Sequence, residues 1–378
     1  MYPGPFAMNH RMWRVGLIAA LGFSVCGPAA AQQRDVYEVR DVVVDVTSET
    51  AAKAREQALA EGEAEAFRRL LKRLTLRAEK ERLPDLEAEE ITTYVKDFSV
   101  ASEKVSAVRY LAHLNYRFKS GEIRSLLNDF DLRFAETVSK PVLVLPVYQD
   151  AGALMLWDEP NPWREAWGAL PDTQSLVPTL LPVGDLADIA AIGPEQAMEG
   201  DLQRLNAIAK VYGASDTLVV FGVMRVDAAR ARRILEVYFT RYGTQLQEQT
   251  EVMNFTQNDG ETVSKLLARA ARELMAIVED NWKRDNVLEF GRPGLIAAVV
   301  PITGLRDWLE VRSRLEGVAV IQRAELVLLS HTEARVNLHF IGKTKQLMLA
   351  LEQVDLGLSE EGGNWLLSPF GRPPPGKS

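Results

Sequence analysis

The chain has 378 residues and a formal net charge of −8 at pH 7, and 47% of its residues are hydrophobic. This balance is typical of a globular protein, and the length is enough for two or three domains. The acidic charge argues against a basic face that displaces counterions from phosphates, so we expect no nucleic-acid partner.

The first 31 residues follow the pattern of a secretory signal peptide. Arg11 and Arg14 precede the apolar stretch VGLIAALGFSV, which is too short to span a bilayer, and Ala29-Ala30-Ala31 provides a small-residue cleavage site. We therefore expect cleavage after Ala31 and a periplasmic protein. Two alternatives stay open at this point: an uncleaved anchor, and a lipoprotein modified at Cys26.

Cleavage after Ala31 leaves 347 residues without a thiol, because Cys26 is the only cysteine. Disulfides, thiolate metal sites and a cysteine nucleophile are then excluded. The formal charge goes from −8 to −10, since the signal carries two arginines and no acidic residue. No later stretch reaches about eighteen consecutive apolar residues, so we expect a soluble mature chain without a transmembrane segment.

The order of predicted elements divides the mature chain into three domains, and the expected fold class is multidomain α+β and α/β. Residues 32–139 are predicted to form a small α/β sandwich in the order β-α-α-β-β-α. Its first strand, VYEVRDVVVDV, precedes a helix with seven alanines between Ala51 and Ala66. Small side chains favour close packing of this helix on the sheet.

Residues 140–286 are predicted to form a mixed-sheet α/β layer domain. The stretch KPVLVLPV is typical of a strand buried on both faces, and RRILEVYFTRY with QLQEQTEVMNF indicates an antiparallel pair. Asn258, with Glu261 three residues later, is predicted to open a long helix. Between these parts, one apolar helical stripe is predicted from Met198, Leu202, Leu205, Ile208 and Tyr212.

Residues 287–369 are predicted to form a ferredoxin-like domain. The turn-rich stretch DNVLEFGRPG marks its boundary, and the elements that follow read β-α-β-β-α-β, ending in short strand segments at LGL and NWLLS. Residues 370–378, rich in proline, are predicted to be a mobile tail.

Few residues indicate catalysis or metal binding. His113, His331 and His339 lie after the signal, but they have no spacing typical of a zinc site. The sequence has no G-x-S-x-G, H-E-x-x-H, G-x-x-x-x-G-K-[ST] or G-x-G-x-x-G motif. We therefore predict no catalytic residue, no metal site and no cofactor, although nucleophiles without a local motif stay open.

The segment WDEPNPWREAWG, residues 157–168, is the most suggestive part of the chain. It places Trp157, Trp163 and Trp167 beside Asp158 and Glu159, and these five residues are the candidate site for a ligand or a partner. Carboxylates beside aromatic faces are typical of a glycan-binding cleft or a glycosidase.

A packing interpretation of the same segment competes with this one. Asn161 and Pro162 are suited to open a short helix, in which Trp163 and Trp167 are four residues apart and share a face. These two rings would then pack on the sheet. Only Trp157 and Asp158 would form an exposed rim.

The chain resembles the uncharacterised secreted bacterial family called domain of unknown function 2066. The resemblance covers roughly residues 36–222 and is carried by a set of segments: VYEVRDVVVDV, FRRLLKRLT, YLAHLNYRF, SGEIRSLLNDFDLRF and KPVLVLPVY. It implies no activity and no catalytic residues. More loosely, the first domain is similar to small α/β modules of envelope-assembly proteins, and the second to α/β layers of periplasmic adaptors.

These observations predict a non-enzymatic periplasmic protein that acts through protein contacts in the cell envelope, as an adaptor or in assembly. Exposed strand edges could accept a strand of a partner. The alternative is a protein that binds or hydrolyses peptidoglycan through the loop Trp157–Gly168, which would make glycan the partner. A sensor of a small ligand above the central sheet is a third interpretation.

Overall fold

The computed structural model describes residues 35–171, 174–227, 232–243, 250–287 and 293–369. Within these ranges the chain is a mixed α/β structure with three multi-stranded sheets that follow one another along the sequence. The predicted signal, residues 1–31, and the predicted tail, residues 370–378, lie outside the described residues. None of the helices in the described ranges is long and apolar enough to cross a membrane.

The first sheet is antiparallel and has the strand order β1-β3-β2. Its strands are β1 (Glu38–Thr47), β2 (Val95–Val105) and β3 (Arg109–Phe118). Its helices are α1 (Ala51–Leu74), α2 (Ala88–Tyr94) and α3 (Ser120–Asp129), with a short 3-10 helix at Arg77–Arg82. The order of these elements is the predicted one.

Helix α1 packs closely on this sheet through small residues. The Thr50 side chain caps its first turn by accepting a hydrogen bond from the Lys53 backbone N–H. Its buried face begins with Ala54, Ala58 and Gly62. A Cβ atom at Gly62 would lie 2.9 Å from the Tyr116 hydroxyl oxygen, so the helix approaches the sheet as the alanine-rich sequence predicts.

The second sheet is mixed, with strand order β5-β4-β7-β8-β9 and a short strand β6 that pairs with β4. Strands β4, β6 and β7 are parallel, whereas β7, β8 and β9 form an antiparallel meander. The strands are β4 (Val142–Asp150), β5 (Ala153–Met155), β6 (Thr179–Leu180), β7 (Asp216–Asp227), β8 (Arg232–Gly243) and β9 (Thr250–Thr256). The first seven residues of β4 are buried, as KPVLVLPV predicts.

Helices cover both faces of the second sheet, and each face has its own hydrophobic cluster. One cluster includes side chains of α4 and α8, and the other includes side chains of α6 and α7. The helices are α4 (Pro162–Gly168), α5 (Leu186–Ala191), α6 (Pro194–Glu199), α7 (Leu202–Val211) and α8 (Val263–Asp285).

Two details of this domain differ from the predictions. The predicted apolar stripe is wrong, because Gly200 adopts a left-handed conformation that ends α6 and turns α7 to a new direction. Met198 and Leu202 are therefore exposed, whereas Leu205 is buried. Helix α8 begins four residues later than predicted, because Thr262 rather than Asn258 caps it.

The third sheet has five strands in the order β11-β12-β10-β14-β13. The strands are β10 (Pro293–Pro301), β11 (Ile321–Leu329), β12 (Glu333–Ile341), β13 (Leu356–Glu361) and β14 (Asn364–Pro369), with helices α9 (Leu305–Glu316) and α10 (Thr344–Glu352). Strand β12 lies between β10 and β11 and is antiparallel to both. The two short terminal segments form a hairpin, and β14 lies parallel to β10, which places one more strand in the sheet than a βαββαβ order contains.

The C-terminal turn of α8 joins the second sheet to the first domain. The side chain of Lys283 is buried, and its Nζ donates hydrogen bonds of 2.8 Å to the Lys72 carbonyl and 3.1 Å to the Thr75 carbonyl. These carbonyls belong to the C-terminal end of α1, where a cation is favoured. The Glu279 carboxylate lies 3.3 Å from the same ammonium group.

Replacement of this buried cation is expected to destabilise the whole chain. Lys283→Met removes the donors and leaves the two carbonyls and the half-buried Glu279 without their partner, so we expect a loss of about 3 kcal/mol in the free energy of unfolding. Urea denaturation followed by circular dichroism measures this. Lys265→Met, an exposed position on the same helix, is the control and should change stability by less than about 0.5 kcal/mol. Equal effects of the two substitutions would contradict the assigned role of Lys283.

Candidate functional site

The tryptophan segment forms α4 in the way that its sequence predicts. The Asn161 side chain accepts hydrogen bonds from the backbone N–H groups of Trp163 and Arg164, at 3.2 and 3.0 Å, and Pro162 occupies the first helical position. This cap determines where the helix begins. It thereby directs Trp163 and Trp167 to the same side.

Trp163 and Trp167 belong to the core. Both are buried, and their rings meet edge to face with centroids 5.7 Å apart. The Trp163 indole N–H donates a hydrogen bond of 3.0 Å to the Val220 carbonyl of β7. In this conformation neither ring is accessible to a ligand or a partner.

Trp157 lies at the surface but is held in place. It is half-buried, and its indole N–H donates a hydrogen bond of 2.7 Å to the Ile192 carbonyl. A Cβ atom at Gly184 would lie 3.3 Å from the Trp157 ring, which shows how closely the loop before α5 approaches it. The packing interpretation expects Trp157 on an exposed rim, whereas the structure shows its ring half-buried and hydrogen-bonded. Asp158 and Glu159 are exposed, and the Glu159 carboxylate lies 4.0 Å from the Arg164 guanidinium.

Arg164 attaches the loop before α5 to α4. Its guanidinium donates hydrogen bonds to the carbonyls of Pro182 and Val183. Gly184 lies beside it with a φ of 81°, in the left-handed region that glycine tolerates. A Cβ atom there would lie 2.9 Å from the Arg164 Nη2 atom, so glycine is required on both grounds.

Asp188 anchors the same loop from inside. Its carboxylate is buried and accepts hydrogen bonds from the Gly184 backbone N–H at 2.8 Å and the Tyr212 hydroxyl at 2.6 Å. Burial and the hydrogen bond to this carboxylate raise the pKa of Tyr212. The Tyr212 hydroxyl also accepts a hydrogen bond from the Val183 N–H. Arg164, Asp188 and Tyr212 therefore each hold the loop through hydrogen bonds to its backbone.

Helix α5 is consequently turned so that its polar residue faces inward and its apolar residues face solvent. Leu186 is 84% exposed and Val211, which precedes Tyr212 at the end of α7, is 78% exposed. Val183 and Ile189 are exposed as well. We call these four side chains, Val183, Leu186, Ile189 and Val211, the α5 surface. The sequence did not reveal it, because a helix of six residues is too short for a periodic pattern to indicate its buried face.

An open cleft of about 670 Å³ lies next to α4. Its lining includes the charged residues Glu159, Glu165 and Arg164. Pro160 and Leu181 are among its apolar lining residues, and none of the described residues that line it is aromatic. The cleft therefore offers charge to a ligand and lacks a stacking platform.

The histidines do not assemble a metal site. His113 Nδ1 lies 2.5 Å from an Asp41 carboxylate oxygen, and His339 Nε2 lies 3.4 Å from Glu325. In the part of the chain that the structure describes, no three His, Cys, Asp or Glu residues are grouped closely enough to hold a metal ion.

Comparisons with known proteins add two partial matches. No family model matches the chain, and no curated protein matches it. A PelC dodecamer from Paraburkholderia phytofirmans is similar at 10% identity over 38% of this chain and 90% of that chain, with a TM-score of 0.22. The lipoprotein GNA1162 from Neisseria meningitidis is similar at 13% identity over 37% of this chain and 97% of that chain, with a TM-score of 0.21. Likeness at these scores carries no argument.

The different positions of the tryptophans predict different effects of their removal. Trp163→Ala should lower the free energy of unfolding by about 3 to 5 kcal/mol, because it opens a cavity in the core. Trp157→Ala should cost about 1 to 2 kcal/mol, because its ring is only partly buried. Urea denaturation of both variants tests this. A larger loss for Trp157→Ala than for Trp163→Ala would refute the placement of the two rings.

Proposed function

We propose that this chain is a non-enzymatic protein of the bacterial periplasm that acts through protein contacts, as an adaptor or in envelope assembly. The observation that carries the proposal is the α5 surface, whose four apolar side chains face solvent. Three of them, Val183, Leu186 and Ile189, lie within seven residues, and exposed apolar groups that lie together are typical of surfaces that another protein covers.

The charges around the α5 surface indicate the chemistry of the partner. Asp158, Glu159 and Asp185 are exposed beside Trp157 and the loop before α5. Of the basic side chains nearby, Arg164 and Arg204 donate hydrogen bonds to backbone carbonyls of the loop and of α5, and Lys210 is exposed on α7. A partner with an apolar patch and a basic rim would complement this arrangement. The partner-binding role predicted for Trp157, Asp158 and Glu159 is kept in this proposal, as the edge of the α5 surface.

The loop is also organised for binding before a partner arrives. Arg164 and Asp188 fix its backbone from two sides, and glycine at 184 allows the tight fit. Binding then costs little ordering of the loop, which favours affinity.

The wider assignments belong to the same proposal. Periplasmic location and membership of the family called domain of unknown function 2066 are supported by the sequence patterns described above. The division into domains at residues 32–139, 140–286 and 287–369 is supported by the strands, since each sheet uses strands from one of these ranges only. A ferredoxin-like origin of the last domain is supported by β12 lying between β10 and β11.

Site-specific cross-linking in living cells tests the α5 surface. A photo-reactive amino acid in place of Ile189 should capture an envelope protein, which mass spectrometry then identifies. Leu186→Asp should reduce this capture at least about tenfold, since it buries a charge against an apolar patch. Trp157→Ala should weaken capture less.

Val226→Asp is the matched control, because Val226 is an exposed valine at the end of β7. Capture should survive this change. Capture that Leu186→Asp leaves intact, or that Val226→Asp removes equally, would show that the α5 surface is not the binding site.

The second candidate function is glycan binding, and the cleft beside α4 is the observation that favours it. Glu159, Glu165 and Arg164 could contact sugar hydroxyls or peptide groups of peptidoglycan. The absence of an aromatic ring from the lining weighs against stacking on a sugar.

Binding of purified muropeptides, measured by calorimetry, separates the two functions. The adaptor proposal predicts no saturable binding by the wild type. Saturable binding that Glu159→Gln and Glu165→Gln abolish, while Glu195→Gln on exposed α6 leaves it unchanged, would favour the glycan function instead.

A further inference from the structure

Strand β11 is an edge of the third sheet with an unusual side-chain pattern. Among the described strands it pairs only with β12, so the backbone N–H and C=O groups along its other side have no partner in those strands. Four consecutive apolar side chains on it are exposed: Leu326, Val327, Leu328 and Leu329. Edge strands normally carry charges or irregularities that prevent pairing with another chain.

Four other edge strands that the structure describes, β1, β2, β9 and β13, have no run of this length. The exposed apolar residues Val43 on β1, Phe98 on β2 and Val252 on β9 stand singly between polar, buried or half-buried neighbours. Strand β13, the opposite edge of the third sheet, ends in Ser359, Glu360 and Glu361. A run of four exposed apolar residues is therefore found on β11 and not on β1, β2, β9 or β13.

Helix α9 extends this apolar surface into a groove. Arg314 donates a hydrogen bond of 3.1 Å to the Asp355 carbonyl, which lies just before β13, so this side of α9 faces the β13 edge. Leu305 is nine residues from Arg314, and at 100° per residue its side chain lies on the opposite side of the helix, toward β11. Leu309, one turn later, shares that side. Both leucines are exposed.

The register of β11 completes the groove. Leu326 and Leu329 lie opposite Val336 and Ala334 of β12, whose side chains are buried under the helices. Leu326 and Leu329 therefore point to the helix side, yet they are exposed because no element covers the edge. They form, with Leu305 and Leu309, an apolar groove that an added strand would fill.

The charges on β11 favour a second copy as the occupant. Arg323 and Glu325 flank Ala324 and point to the open face of the sheet, opposite His339 and Asn337, and within one chain Arg323 donates a hydrogen bond of 3.0 Å to the Glu325 carboxylate. An antiparallel second copy of β11, centred on Ala324, would place Arg323 of each chain opposite Glu325 of the other. Like charges would meet in neither pair. The strand is thus complementary to itself.

The regular part of this pairing is short. It is centred on residues 323–326, and Val327 would lie opposite Ile321 of the second copy at its ends. The segment at the centre is regular, because the register shifts of β11 against β12 fall outside it, between Ile321 and Arg323 and between Leu326 and Leu328.

We propose that two copies of this chain associate through antiparallel pairing of their β11 strands. The two five-stranded sheets become one continuous sheet, and both α9 helices lie on the same face, one on each side of the paired strands. The symmetry is twofold, as most homodimers have. This association is independent of the α5 surface.

Charge exchange in the full chain without its predicted signal tests the proposal. Sedimentation velocity across the micromolar range should show a dimer for the wild type. Arg323→Glu and Glu325→Arg, each alone, should weaken dimerisation about tenfold, because two like-charged pairs then meet. An equimolar mixture of the two variants should restore it, since the acidic pair of one variant lies opposite the basic pair of the other.

The apolar part of the strand has its own test. Val327→Lys should produce a monomer, whereas Val252→Lys on the edge strand β9 and Leu186→Asp on the α5 surface should leave the dimer intact. Circular dichroism and thermal unfolding verify that each variant is folded. A photo-reactive amino acid at position 327 should cross-link two copies of the chain.

Three results would overturn the proposal. They are a monomeric wild type, a mixture that associates no better than its parent variants, and capture of a different protein at position 327 in place of a second copy. The last result would assign β11 to a strand of another partner. Loss of the dimer without loss of capture at the α5 surface, or the reverse, separates this proposal from the proposed function.

Discussion

The buried ammonium group of Lys283 fixes the position of α8 against the first domain, and the surface of the second domain depends on that position. Burial lowers the pKa of Lys283, and the cost of removing a cation from water is offset by the two carbonyls at the end of α1 and by Glu279. The two carbonyls lie where α1 ends, so the contact specifies one placement of α8 against the first domain. The Trp282 indole, which donates a hydrogen bond of 2.7 Å to the Thr137 carbonyl, fixes the same helix turn from another direction.

The placement of α8 has consequences for the surface of the second domain. Side chains of α8 and α4 share one core cluster, in which Trp163 and Trp167 are the bulkiest members. Burial of these rings orients α4, and α4 carries Arg164 to the carbonyls of the loop before α5. That loop in turn supports Trp157 and presents Leu186 to solvent. The exposed apolar groups are therefore held by the core and are not the result of a loosely packed helix.

Local patterns were sufficient to predict β4, α4 and α1, because the causes of these elements lie within a few residues. The apolar run of β4, the Asn161 and Pro162 cap of α4 and the small residues of α1 each determine a structure by themselves. The inward direction of Asp188 was not predictable, since it depends on Tyr212 and on a backbone N–H group brought close by folding. The position of β14 beside β10 is likewise decided by pairing across the sheet.

The two apolar surfaces differ in what they offer, and this difference makes them compatible. The α5 surface presents rigid side chains, whereas β11 offers backbone hydrogen-bonding groups with a groove beside them. A partner strand can form backbone hydrogen bonds with β11. On the α5 surface its backbone groups would stay unpaired, so a partner with a preformed apolar patch fits better there. Pairing through β11 would therefore leave two α5 surfaces free in one dimer. A partner assembled in several copies would then bind both at once, and the second contact would form at the high effective concentration set by the first.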